Sequence, residues 1–432
     1  MRKITLIIFI LIPFFTIAQD KKEELKYGIT FSGFLKNDFF FDSRESVTIR
    51  EGHFLLYPKE KNLDSENKDI NAKSSFNFLS IQSRLTGKIT APNAFGAKTS
   101  GILEADFFGN ENANFVDANG FRLRHAYIKL NWAKAELLVG QYWHPFFIPG
   151  CFSGVISFNT GAPMQPFSRN PQIRLTHKIG DLSIAGVLSA QRDFTSPLGS
   201  SALRYSNIPD FSAIFSFEKK NEEKKSELLT GFAVDYKSIQ PFLTTTKGSK
   251  TYITDEKVSG VSATAFLKFK SEALTFKIQG VYGQNLFDLT MLGGYVVNGI
   301  SDTTKNMVTY ATLNNMAGWA EIHTNGKKIQ FGLWAGITQN LGSNDSIVAY
   351  SNKVGGTDAT TRAANIKSII RIAPRVVFIQ GKLNFATEFE YTTAAYATKD
   401  ANGVINRDKF GVITNTENLS NLRLLFSLIY NF

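Results

Sequence analysis

The sequence predicts an all-β fold, a transmembrane antiparallel β-barrel of about sixteen strands with short periplasmic turns and long extracellular loops. Three observations carry this reading: an amphipathic last strand, an apolar first segment of secretory form, and a two-faced alternation that recurs along the chain. In the final stretch, Leu422, Leu424, Phe426, Leu428, Tyr430 and Phe432 fall on one side of an extended strand. Asn421, Arg423, Ser427 and Asn431 fall on the other, because strand side chains alternate with a period of two. A continuous apolar strand face is an aggregation hazard in water. In a bilayer it is the required solution, since spanning strands turn apolar side chains outward and close on themselves. Phe432 and Tyr430 are therefore expected to form the assembly signal read by the barrel-assembly machinery.

At the other end, Arg2 and Lys3 precede an apolar run from Ile4 to Ile17, broken only by Thr5, Pro13 and Thr16. Thr16 and Ala18 are small residues spaced for cleavage before Gln19, so residues 1–18 read as a secretory signal peptide. Residues 19–27 form a short charged periplasmic segment, and 28–432 the barrel. No later run approaches the roughly eighteen apolar residues of a spanning helix. Export without a membrane helix, ending in an amphipathic strand, points to the outer membrane and its lipid.

Aromatic residues make up 13% of the 432 residues and include 38 Phe, which suits the aromatic girdles of a barrel. Cys151 is the single cysteine, which excludes an intramolecular disulfide framework. Lys and Arg number 48 against 37 Asp and Glu, and loss of Arg2 and Lys3 with a signal peptide leaves +9. Nucleic acid is not an expected partner of an exported barrel. The excess instead implies a positive field inside a pore.

Alternation and turn composition place strands, in order, at Ile29–Asp42, Phe76–Thr90, Lys98–Phe108, Phe121–Trp132, Glu136–Trp143, Gln172–Ile179, Leu182–Arg192 and Phe211–Glu218. The second half continues with Leu228–Lys237, Val261–Lys270, Leu274–Gln284, Tyr310–His323, Ile329–Gln339, Lys367–Ile379, Leu383–Tyr396 and Asn421–Phe432. Connections such as Gly180–Asp181 and Gln380–Gly381 are tight, whereas Ser43–Ser75 and His144–Pro171 are long. This sorting by parity is the outer-membrane pattern. In the second strand Leu79, Ile81, Leu85 and Ile89 oppose Ser80, Gln82, Arg84, Thr86 and Lys88. In the sixth, Ile173, Leu175 and Ile179 oppose Gln172, Arg174, Thr176 and Lys178. A lipid-facing Arg or Lys at mid-depth costs about 2–4 kcal/mol, so the cationic faces must meet water.

The pieces RLRHAYIKL, LLVGQYW and NPQIRLTHK within residues 121–179, with an intervening loop that contains ISFNTGAP, resemble the DcaP-like family of trimeric outer-membrane porins. The resemblance implies a sixteen-stranded barrel, a homotrimer, and passive diffusion of small, preferentially anionic, carboxylate-like solutes. Some members carry an amino-terminal coiled coil. Asp20–Lys26 is too short to supply one, so trimerisation would rest on barrel and loop contacts.

Sixteen strands leave room for an aqueous channel. The third long loop, 144–171, is rich in Pro and Gly and is expected to fold into the lumen and narrow it; the alternative is an extracellular flap. Arg84, Lys88, Arg122, Arg124, Arg174 and Lys178 are candidate pore-lining cations, joined by Arg371, Arg375 and Arg423 from the second half. Parity slips near Arg124–Ala126, which suggests a bulge. The competing expectation is that these residues are structural, neutralised by Glu104, Asp106, Glu388 and Glu390. The five His show no metal-ligand spacing, and no catalytic residue or cofactor is expected. The leading function is thus a diffusion channel, and the alternative a non-conducting barrel acting as scaffold, adhesin or secretion-system component.

Overall fold

The computed structural model describes residues 27–109, 120–351, 353–354 and 359–432. The predicted signal peptide 1–18 and, apart from Tyr27, the segment 19–27 lie outside them. Sixteen antiparallel strands close into a barrel. We number them β1 (Gly28–Asp42), β2 (Ser75–Leu79 with Arg84–Thr90), β3 (Lys98–Asp106), β4 (Arg122–Asn131), β5 (Ala135–Trp143), β6 (Arg169–Ile179), β7 (Leu182–Ser189) and β8 (Asp210–Asn221). They continue as β9 (Ser226–Ile239), β10 (Val258–Lys270), β11 (Leu274–Gln284), β12 (Met307–Thr324), β13 (Ile329–Ser343), β14 (Ile366–Gln380), β15 (Leu383–Ala397) and β16 (Thr416–Asn431). Each strand pairs with its sequence neighbours, and β16 pairs with β1 from Phe34↔Asn431 to Asp42↔Arg423.

Each of these staves overlaps a stretch where apolar and polar residues alternate, and the exposure follows on most of them. On the first piece of β2, Phe76 and Phe78 are exposed while Leu79 and the following Ile81 pack on the inner core, the reverse of the expected parity. On β10, Val261 and Phe269 are exposed to the outside while Ser262, Thr264 and Phe266 are buried toward the lumen. Ile173 and Leu175 on β6, and Leu422, Leu424 and Phe426 on β16, belong to the same outer belt. A belt of this kind is stable only against lipid.

Two irregularities re-aim side chains. Four residues of β2, 80–83, oppose three of β1, so the strand breaks into two pieces where continuity was expected. Lys36 N donates to Ser83 Oγ at 3.0 Å across this break. On β4 the register shifts so that Glu104 faces His125 and Ala105 faces Leu123, which leaves Arg124 as the extra residue of a β-bulge. The bulge lets Arg122, Arg124 and His125 all turn inward.

The seam is closed tightly. Phe432 N donates to Gly33 O at 3.1 Å, and Gly33 N to Phe432 O at 3.4 Å. A Cβ at Gly33 would strike the Arg84 carbonyl and sit 2.9 Å from the Phe432 ring, so the chain needs glycine where β1, β2 and β16 meet. Deleting Phe432, or the change Phe432→Ser, is expected to reduce the fraction of heat-modifiable, membrane-inserted barrel severalfold. Semi-native electrophoresis of membrane fractions measures this, and insertion at the wild-type level would count against the assignment.

Candidate functional site

The interior is organised by the loop between β5 and β6. Residues 144–168 turn into the barrel, where Phe146, Cys151, Phe158, Met164 and Phe167 are all buried. Its boundary falls at Ser168 and not at Pro171, because Arg169 and Asn170 extend β6 by pairing with Trp143 and Tyr142. A segment in this position must find partners for its backbone amides, since none belongs to a ladder. Carboxylates of the far wall supply them. Glu388 on β15 accepts from Ile156 N at 2.7 Å and Ser157 N at 3.0 Å. Glu390 accepts from Asn159 Nδ2 at 2.8 Å, and Glu321 on β12 from Gly154 N at 2.7 Å.

The loop's carbonyls are met by cations and amides in the same way. Lys36 Nζ donates to Ile156 O at 2.7 Å, Lys277 Nζ to Phe152 O at 2.8 Å and Gln279 Nε2 to Phe146 O at 2.8 Å. Charge-assisted bonds of this type are about twice as strong as neutral ones. Cys151 lies against Leu267 O and Ile278 O, and burial pushes its thiol up to about 11. In the middle of the loop Pro149, Gly150 and Phe152 are exposed and Gly154, Val155, Ile156 and Thr160 half-buried, so its free edge carries no charge.

A second segment, not foreseen from the sequence, joins it. Within the first long loop a hairpin, Ser46–Ile49 with Phe54–Pro58, points inward and buries Phe54, Leu55 and Leu56. Phe54 meets Phe158 and Phe167 edge-on at ring separations of 5.5 and 5.3 Å. Arg371 ties the two loops together. Its Nη1 donates to Ala162 O at 2.6 Å and its Nη2 to Leu56 O at 2.7 Å, while Nε lies 3.3 Å from Glu390. Arg423 clamps the hairpin turn through Gly52 O at 2.7 Å and forms a bidentate pair with Asp42.

The expected cation ladder therefore divides. Arg371 and Arg423 are sealed beneath the loops, and their charges reach no water-filled space. Arg375 is held by Glu321 at 2.5 Å. Arg122 and Arg124 both bind Asp106 at 2.8 Å, with Arg124 also on Glu104 at 2.7 Å. This is the neutralised, structural arrangement. Arg84 is different: its side chain is 21% exposed and stands 3.7 Å from Glu104. Arg174 bonds Gln172 Oε1 and Trp143 O at 3.0 Å, lies over the Tyr142 ring and keeps part of its surface. Lys88 and Lys178, toward the periplasmic ends of β2 and β6, are exposed.

Glu321, Glu388 and Glu390, by contrast, are at most 1% exposed. Acidic groups on β12 and β15 are thus covered by the loop, while cations on β2 and β6 remain wet. The segment 285–292 adds to the packing near the outer mouth, where Phe167 N donates to Leu289 O at 2.9 Å. The sequence held few signals for these contacts, because their partners are main-chain groups and carry no residue identity.

The outer membrane channel DcaP of Acinetobacter baumannii superposes with a TM-score of 0.62 at 15% identity, over 96% of this chain and 100% of that one. The fold is that of an outer-membrane channel. OmpT of Vibrio cholerae, an outer-membrane protein, is similar at a TM-score of 0.51 and 8% identity, over 94% of this chain and 97% of that one. No protein-family profile matches the sequence, and no curated protein matches it.

Cys151 offers a reporter of loop seating. A buried thiol shifted upward is unreactive near neutral pH, so maleimide labelling of the folded barrel is expected to be slow. Glu321→Ala removes the acceptor for Gly154 N and should speed labelling roughly tenfold or more, for about 1.4 kcal/mol of lost anchoring. Equal rates in the two proteins would mean that the loop is held elsewhere.

Proposed function

We propose that this protein is an outer-membrane diffusion channel that prefers small, hydrophilic, carboxylate-like anions. The observation that carries the reading is the unequal fate of the charges. The acids of β12 and β15 are spent on loop amides, whereas Arg84, Lys88, Arg174 and Lys178 keep contact with water. In a narrow hydrated passage with low-dielectric walls, water-accessible cations concentrate anions and repel cations. The loop 144–168 sets the constriction, because it crosses from β5 to contacts on β10–β15 and β1.

The family resemblance supports a homotrimer in outer-membrane lipid, inserted by the barrel-assembly machinery after removal of a signal peptide. A second reading has its own support. The inward hairpin of the first loop, together with 144–168 and 285–292, fills much of the lumen with packed aromatic side chains. A non-conducting barrel that serves as scaffold or adhesin would look the same. Discrete conductance steps from the purified protein in a planar bilayer favour the channel, and their absence favours the scaffold.

Two measurements probe the selectivity and the constriction. Exchanging Arg84 and Arg174 for Gln together should move the zero-current potential in a salt gradient toward cation permeation. The shift should be largest at low salt, since screening acts within about 8 Å at physiological ionic strength. A wild-type channel that already prefers potassium over chloride would refute the anion reading. Separately, deletion of residues 150–164 should raise single-channel conductance while the barrel still inserts. Unchanged conductance would place the narrowest point elsewhere.

A further inference from the structure

Three side chains from separate segments meet at the root of the inward loop, just inside the outer mouth. His144 is the first residue after β5, Asp210 opens β8, and Asp235 lies near the outer end of β9. Nε2 of His144 stands 3.7 Å from an Asp235 oxygen and 4.0 Å from an Asp210 oxygen, and one potential ligand atom from each residue falls within 4.8 Å of the others. All three residues are buried, Asp210 completely. Neither carboxylate oxygen of Asp210 accepts a hydrogen bond from any described donor. Asp235 has one, from Ser212 Oγ at 2.6 Å.

The surrounding charges do not balance this pair. Asp288, from the segment 285–292, is the third carboxylate of the cluster. The ammonium of Lys237 on β9 is bonded to Asp288, and Gln191 also donates to Asp288 at 3.0 Å. Three carboxylates thus share one ammonium in a site nearly closed to solvent. Nδ1 of His144 accepts from Phe146 N at 3.2 Å, which marks the imidazole as neutral. An unpaired buried carboxylate is among the most unfavourable groups a fold can hold, and a proton or a metal ion is the usual remedy.

We propose that His144, Asp210 and Asp235 form a binding site for a divalent transition metal of the Zn2+ type. One imidazole with two carboxylates is a donor set suited to Zn2+ and poorly suited to Ca2+, which takes oxygen ligands. Ligand atoms around a metal at 2.0–2.2 Å lie about 3.3–3.6 Å apart, so the cluster must tighten by only a few tenths of an ångström on its shorter edges. Ligation through Nε2 puts the ring proton on Nδ1, so the Phe146 contact is given up when the metal enters. The ion would fasten the start of the inward loop to β8 and β9. Metal content and conduction are separate readouts, so this site stands or falls independently of the channel reading.

The test uses the whole chain, folded into detergent micelles with Zn2+ present, dialysed against metal-free buffer and analysed by mass spectrometry of elements. The wild type should retain about one Zn2+ per chain, as a buried three-residue site requires. Asp210→Asn and His144→Gln should each lose at least nine-tenths of it while keeping heat-modifiable migration. His144→Gln leaves the acid pair untouched and serves if Asp210→Asn fails to fold. Added Zn2+ should also raise the unfolding temperature of the metal-free wild type and not that of the variants. No retained metal in the wild type, with a protonated-carboxyl infrared band that vanishes in Asp210→Asn, would overturn the proposal in favour of a shared proton. Equal retention by wild type and variants would overturn it as well.

Discussion

A strand in lipid has no water to satisfy its amides, and the whole architecture depends on that constraint. Sixteen strands are stable together only because the last one finds the first, and the seam is where the chain is least tolerant. Gly33, Phe432 and the Arg84 carbonyl crowd a single point, and Asp42 with Arg423 locks the register one end further on. Closure removes every edge. It also creates an enclosed space whose inner wall must be hydrated or filled.

This protein fills part of that space with its own loops and so moves the pairing problem inward. The main-chain amides of Gly154, Ile156 and Ser157 join no ladder, and Glu321 on β12 and Glu388 on β15 accept from them, while Glu390 accepts from the side-chain amide of Asn159. Leaving a buried amide without its acceptor typically costs about 1–3 kcal/mol, so each of these carboxylates matters to the seat of the loop. The loop is therefore held by a few strong contacts at defined depths, with aromatic packing between them. The electrostatic character of the remaining passage follows from this choice of anchors. Whatever acid is used to hold the loop no longer faces the water.

The strands were legible because lipid imposes a strict period of two on one face. The slip at Arg124 was legible for the same reason, since an extra residue inverts the parity that follows it. The break at residues 80–83 was not, because Ile81 keeps the apolar parity even though it leaves the ladder and is buried toward the inner core. The hairpin of the first loop escaped notice because Phe54–Tyr57 is a uniform apolar run with no alternation to assign a face. Parity proposed nine inward cations, but it does not distinguish a half-exposed guanidinium such as Arg174 from one clamped under a loop such as Arg371. His144, Asp210 and Asp235 come from three segments, and spacing along the chain holds no trace of their meeting.

Arg371 binds the carbonyls of two different loops at once, Leu56 O in the first and Ala162 O in the third. The two insertions thereby become one mechanical part. Neither can be exchanged, lengthened or grafted from a relative without presenting a carbonyl at the same place for the same guanidinium. A displacement of the first loop is therefore passed to the third, although Leu56 and Ala162 lie far apart along the chain.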